Sequence, residues 1–135
     1  MDHPHLKYQR LIDFCKALPP TSVAVAHPCD EASLTGAMDA ARAGLIAPLL
    51  VGPRDRIEAT ARRFGIDISG VPVIDVPHSH AAAERAVELV REGSAEALMK
   101  GSLHTDELMG AVVRRESGLR TSRRVSHCFV MDVPS

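Results

Sequence analysis

The chain has 135 residues, of which 45% are hydrophobic and 24% charged, and its formal net charge is −1. This composition is typical of one globular domain with its own core, and it offers no basic field for nucleic acid. Aromatic residues, at 3%, are too few for a base-stacking surface, and no apolar run is as long as a membrane span. Three separated cysteines and a polar start without a leader pattern predict a reducing, cytoplasmic location.

Helical and strand patterns alternate along the chain. Apolar residues at helical spacing predict a first helix over residues 5–18, which the pair Pro19-Pro20 ends. Short apolar runs then predict five strands, at 22–26, 46–51, 71–76, 96–100 and 125–131. A helix is predicted after each of the first four strands. The residues that mark the starts of these four helices are Asp30, Pro53, Ser79 and Thr105. The residues that mark the ends of the first three are Gly44, Gly65 and Gly93.

This alternation predicts the fold class. Strand and helix recur at intervals of about 25 residues, which is typical of right-handed βαβ units and a mainly parallel sheet. The strands are nearly continuous apolar runs, as expected where helices cover both faces of a sheet. The sequence therefore predicts an α/β domain of three layers, α/β/α.

One predicted loop carries the most informative chemistry. Ligands of a parallel sheet bind beyond the carboxyl ends of its strands. Lys100 ends the fourth predicted strand, and three polar residues follow it: Ser102, His104 and Thr105. Gly101 permits a close backbone approach, and the first turn of the next helix offers unpaired N–H groups, so the loop suits a phosphate or acyl phosphate. Asp106 and Glu107 would repel a dianion if they pointed the same way. The alternative is an ordinary loop with a threonine N-cap.

Other polar residues have weaker patterns. His78 with His80, or His27 with Asp30, could begin a metal site, but neither pair has a third ligand at a recognised spacing, so we predict no metal. Cys29 follows the first strand, where a buried thiol is favoured over a nucleophile.

The last part of the chain is rich in arginine. Five arginines lie close together in the sequence: Arg114, Arg115, Arg120, Arg123 and Arg124. They form either a solvated charged face, an anion-attracting rim or an interface. His127 lies inside the last predicted strand, where a core or interface role is favoured, and its neighbour Ser126 would then face the cleft.

Several stretches resemble one known family. Residues 97–113, ALMKGSLHTDELMGAVV, resemble the central signature of the phosphate acetyl/butyryltransferase family. Residues 118–134 resemble the segment that follows it, and residues 23–53 and 75–93 resemble the earlier part. The form of the signature is similar to the butyryltransferase-like branch and to the acyltransferase part of two-part enzymes with a hydratase-like module.

The resemblance implies a fold, a reaction and a set of site residues. The fold would be a pair of α/β domains like those of isocitrate and isopropylmalate dehydrogenases, with the site between them. The reaction would exchange coenzyme A and phosphate on an acyl carbonyl, with coenzyme A as a substrate, no further cofactor, and a homodimeric full-length enzyme. The residues that would bind phosphate and the acyl group are Lys100, Gly101, Ser102, His104, Thr105 and Ser126. The residues that could form the rim for coenzyme A are Arg120, Arg123 and Arg124.

Family members are about twice as long as this chain or longer, and the segment that supplies their catalytic serine, arginine and aspartate has no counterpart here. We therefore expect residues 1–135 to be the first domain of a two-domain acyltransferase, without the second domain or the segment that returns to the first. We also expect it to be inactive by itself and to self-associate through uncovered sheet surface. The alternative is a non-catalytic module that binds a nucleotide, coenzyme A or another anion.

Overall fold

The computed structural model describes residues 6–133, and the polar start at residues 1–5 lies outside this range. The helices are α1 Leu6–Lys16, α2 Glu31–Arg42, α3 Arg54–Phe64, α4 Ser79–Arg91 and α5 Thr105–Val112. The strands are β1 Thr21–Ala26, β2 Ile46–Gly52, β3 Val73–Asp75 and β4 Ala97–Lys100. No helix in the described part of the chain combines the length and apolarity needed to cross a bilayer.

The four strands form one parallel sheet in the order β3-β2-β1-β4. The central strand β1 shows why the domain has three layers, because its side chains alternate between the two faces. Val23 and Val25 pack into a core with α2 and α3, whereas Ala24 and Ala26 pack into a second core with α4 and α5. The predicted α/β/α class with a parallel sheet is therefore confirmed.

The helices begin where local sequence signals predict, although the starts of three of them differ from the prediction by one residue. Asp30 is the N-cap of α2 as predicted, because its carboxylate accepts a hydrogen bond of 2.9 Å from the Ser33 N–H. The N-caps of α3, α4 and α5 are Pro53, His78 and His104. Each of these three residues has an extended backbone, so Pro53 is not the first helical residue, and neither Ser79 nor Thr105 is a cap.

The predicted strand at 125–131 is wrong. The structure has neither helix nor strand after α5 in the part of the chain that it describes, and Val125 and Val130 are 66% and 81% exposed. A strand of continuous apolar residues needs cover on both faces, and the described part of the chain supplies none here. The first predicted helix is present as α1, but none of its residues is buried.

Candidate functional site

The carboxyl ends of the strands meet at one edge of the sheet, where the loops before α2, α3, α4 and α5 converge. A depression of about 520 Å³ lies there, with ten lining residues: His27, Asp30, Arg56, Ser79, Lys100, Gly101, Ser102, Leu103, His104 and Glu107. The predicted residues Lys100, Gly101, Ser102 and His104 are thus brought together. Thr105 is the exposed first residue of α5 and is not among those that line the depression.

Gly101 lies against the backbone of the neighbouring loop. A Cβ atom added to it would be 2.3 Å from the Ala26 carbonyl oxygen and 2.4 Å from that of His27. Its own N–H donates a 2.8 Å hydrogen bond to the Ala26 oxygen. The glycine therefore allows the ends of β1 and β4 to approach closely. Its predicted contact with an anion stays a prediction.

Ser102 links the loop after β4 to the loop after β1 through hydrogen bonds. Its hydroxyl donates to the His27 carbonyl oxygen over 2.8 Å and accepts from the Cys29 N–H over 3.2 Å. Its backbone N–H also donates to the His27 oxygen, at 2.8 Å. The hydroxyl proton, which we expected to be offered to phosphate, is therefore engaged inside the protein.

His27 is the site residue whose role the sequence did not show. Its side chain is only 3% exposed, and its backbone has a φ of 57° in the left-handed region. Nδ1 lies 2.9 Å from the Ser102 carbonyl oxygen and 3.0 Å from the Ser102 hydroxyl oxygen. Nε2 lies 3.5 Å from Nη1 of Arg56. The only available signal was its place directly after β1 at the ligand-bearing edge.

The charged groups of the depression differ in their partners. Within residues 6–133, no carboxylate lies within ion-pair distance of Arg56 or Lys100, and Lys100 Nζ donates only to the Gly101 carbonyl oxygen, over 3.3 Å. The acidic groups are engaged. Hydrogen bonds from Ser33 lower the pKa of Asp30, and Glu107 Oε1 accepts a 2.7 Å hydrogen bond from the Ser79 hydroxyl. The depression therefore holds two cations, Arg56 and Lys100, and two carboxylates whose hydrogen-bond partners are serines rather than cations.

The first turn of α5 opens beside Lys100. The N–H groups of Glu107 and Leu108 donate to the His104 carbonyl oxygen, at 3.1 and 3.2 Å. Among the residues described, no acceptor is found for the N–H groups of Thr105 and Asp106, and no side chain caps the helix. Asp106, which we expected could repel an anion, is not among the lining residues. An open helix start with a nearby lysine is favourable for an anion.

The arginine-rich region lies apart from this depression. Arg120, Arg123 and Arg124 line a separate hollow of about 610 Å³, which shares no lining residue with the first. Ser126 is exposed on the segment without a strand. Arg114 is paired instead with Glu84, whose pKa it lowers through a hydrogen bond. The structure thus does not bring Ser126 or the arginine rim together with the Lys100 loop.

The other polar residues considered in the sequence analysis lie in different surroundings. Burial raises the pKa of the half-buried Cys29 thiol, which disfavours the thiolate that a nucleophile needs. His78 Nδ1 accepts from the Ala81 N–H at 3.1 Å. His127 is exposed rather than in a core, and its ring centroid lies 4.1 Å from that of Phe129. No group of three potential metal ligands occurs among the described residues.

The sequence was compared with curated proteins. It is 57% identical over 128 residues to the phosphate acetyltransferase of Rhizobium meliloti, covering 95% of this chain and 40% of that protein. It is 53% identical to the phosphate acetyltransferase of Rickettsia felis, covering 84% of this chain and 33% of that protein. The phosphate butyryltransferase of Clostridium acetobutylicum is 37% identical, with 82% and 36% covered. Both acetyltransferases are more similar to the chain than this butyryltransferase, whereas the signature favoured the butyryltransferase branch.

The fold was compared with solved structures. EutD phosphotransacetylase from Staphylococcus aureus matches with a TM-score of 0.61 and 15% identity, over 80% of this chain and 43% of that chain. This likeness supports the fold. No protein-family model matches the chain. The identities to these curated relatives show that the chain is homologous to a part of the phosphate acetyltransferases and butyryltransferases, and it spans between a third and two fifths of their length.

Proposed function

We propose that this domain provides the phosphate side of a phosphate acyltransferase site, at which an acyl group passes between coenzyme A and inorganic phosphate. The names of the relatives support the reaction class. The open first turn of α5 beside Lys100 supports the assignment of the site. That single observation carries the proposal, because it combines N–H donors with a cation that has no carboxylate within ion-pair distance in the described part of the chain.

The reaction makes demands that this arrangement meets in part. The thiol of coenzyme A and phosphate exchange on one carbonyl carbon through a tetrahedral transition state, so phosphate needs cations and the developing oxyanion needs donors. The ammonium group of Lys100 supplies such charge within the depression, and the N–H groups of Thr105 and Asp106 supply donors between the lining residues His104 and Glu107, of which His104 adds a ring at the rim. Ser126 belongs to the proposed acyl side, although its segment is exposed.

The depression is one-sided, since every lining residue comes from one edge of one sheet. A thiol base and a second wall are therefore to be supplied by another lobe, and we propose that the chain alone does not turn over. The arginines of the second hollow are assigned to the phosphates of coenzyme A. Coenzyme A is a substrate here and no further cofactor takes part; a cytoplasmic homodimer is the proposed state of a two-domain protein.

The proposal is tested by binding and by turnover. Inorganic phosphate and acetyl phosphate are titrated into the chain by calorimetry, with Lys100→Ala as the variant and Lys16→Ala, on α1, as the charge-matched control. We expect Lys100→Ala to weaken binding about tenfold, the effect of one lost charge-assisted hydrogen bond, and Lys16→Ala to change nothing. Equal affinities in all three proteins would refute the site.

Turnover is measured by the loss of free coenzyme A thiol in the presence of acetyl phosphate. We expect none above background from the chain alone. Sustained thiol consumption that depends on Lys100 would show that the second lobe is not needed.

A further inference from the structure

Two cations stand on either side of the central strand at the depression. Arg56 lies on α3, which follows β2, and Lys100 ends β4; β2 and β4 are the two neighbours of β1. Neither lies within ion-pair distance of a carboxylate in the part of the chain that the structure describes. His27, at the end of β1, lies between them and approaches Arg56. Sequence patterns pointed to Lys100 but gave no role to Arg56.

The hydrogen bonds of Ser102 fix where His27 carries its proton. The Ser102 hydroxyl gives its single proton to the His27 carbonyl oxygen, so both oxygens of Ser102 near Nδ1 act as acceptors. Nδ1 must therefore be the donor, and a neutral ring has its lone pair on Nε2. In the described part of the chain, the donor facing Nε2 is Nη1 of Arg56. The ring thus presents an acceptor to the guanidinium.

We propose that Arg56 is a phosphate-binding residue of this site and that His27 is its positioning residue. The inference rests on the proposed function of the depression. A guanidinium has five N–H donors in a planar fork, so one directed at Nε2 leaves others for the oxygens of a phosphate group. Arg56 and Lys100 then hold the anion from two sides, above the open first turn of α5.

The backbone of His27 supports a positioning role. A φ of 57° is uncommon for a residue other than glycine, and such strain is retained where the surroundings hold the residue in place. Here the buried ring is bound to a loop 75 positions away in the sequence. A ring fixed in this way can set the direction of an otherwise exposed arginine.

The test is a titration of the full chain with inorganic phosphate at constant ionic strength, followed by amide and arginine side-chain NMR signals. Arg56→Ala removes the proposed ligand. Arg62→Ala is the control, since Arg62 is exposed on the same helix and lines no part of the depression. His27→Asn removes the ring but keeps a residue that tolerates the left-handed backbone. The double variant of Arg56 and His27 completes a cycle.

We expect Arg56→Ala to weaken phosphate binding about tenfold, as for one charge-assisted hydrogen bond, and Arg62→Ala to leave it unchanged. His27→Asn should weaken binding severalfold in the wild-type background but not in the Arg56→Ala background, which a merely structural role would not produce. If phosphate shifts the amides of residues 101–106 but Arg56→Ala and Arg62→Ala bind equally, the role of Arg56 is wrong while the proposed function stands. If those amides do not shift in the wild type, both are wrong.

Discussion

Replacing Gly101 by alanine tests the closest backbone approach in the site. The new Cβ would lie 2.3 Å from the Ala26 oxygen, 2.4 Å from the His27 oxygen and 2.6 Å from the His27 carbonyl carbon. All three are backbone atoms, so no side chain can move aside. Real Cβ contacts stay above 3.0 Å, and the ends of β1 and β4 must therefore separate by about 0.7 Å, from 2.3 to 3.0 Å.

The cost follows from what this separation disturbs. Overpacking of this kind costs about 1–3 kcal/mol. The separation also stretches two backbone hydrogen bonds of 2.8 Å, from Gly101 to Ala26 and from Ser102 to His27, each worth about 0.5–1.5 kcal/mol. We expect the free energy of unfolding to fall by about 2–6 kcal/mol.

The assay is urea unfolding, monitored by circular dichroism. With a slope of about 1–3 kcal/mol per molar urea, the midpoint should fall by at least about 0.7 M. Gly110→Ala is the matched control, because Gly110 lies on α5 with no heavy atom near a Cβ position. That variant should gain about 0.5–1 kcal/mol of helix stability. Equal midpoints for Gly101→Ala and the wild type would refute the close approach of β1 and β4.

Three further outcomes are expected. Asp30→Asn should lower stability by about 0.3–1 kcal/mol at pH 7; because the folded pKa of Asp30 is lowered, urea midpoints should converge as the pH falls below about 4, where the carboxylate becomes protonated. Glu107→Gln should tighten phosphate binding about threefold by calorimetry, since a negative charge leaves the depression, whereas Asp106→Asn should change the affinity less, because the Asp106 side chain is exposed and Asp106 is not a lining residue. Cys29 should react with iodoacetamide more slowly at pH 7 than the exposed Cys128, because burial raises its pKa; equal mass-spectrometric labelling rates would contradict this.

Most of the fold could be predicted from local sequence signals. Asp30 caps α2 through a contact three residues along the chain, and the apolar spacing of α2 and α4 reflects the period of a helix alone. The segment at 125–131 has equally good strand residues, but a strand exists only where another strand pairs with it and helices cover it. That requirement depends on the rest of the molecule, so the apolar pattern of residues 125–131 alone predicted a strand that the structure does not contain.

The site likewise contains residues that the sequence predicted and residues whose roles depend on contacts between distant parts of the chain. Lys100 and the start of α5 could be placed from the sequence, since the edge of a parallel sheet is a general ligand site. The engagement of Ser102 and the burial of His27 depend on contacts between loops 75 positions apart. Arg56 gave no signal, because an arginine on an exposed helix looks like ordinary surface until its neighbours across the sheet edge are known.

The most direct test of the phosphate site is a crystal structure of the chain grown with inorganic phosphate and, separately, with acetyl phosphate. Our account predicts density at the first turn of α5, with phosphate oxygens in hydrogen-bond contact with the N–H groups of Thr105 and Asp106 and with Lys100 Nζ. Density confined to the hollow of Arg120 and Arg124, with the α5 turn empty at saturating ligand, would contradict it.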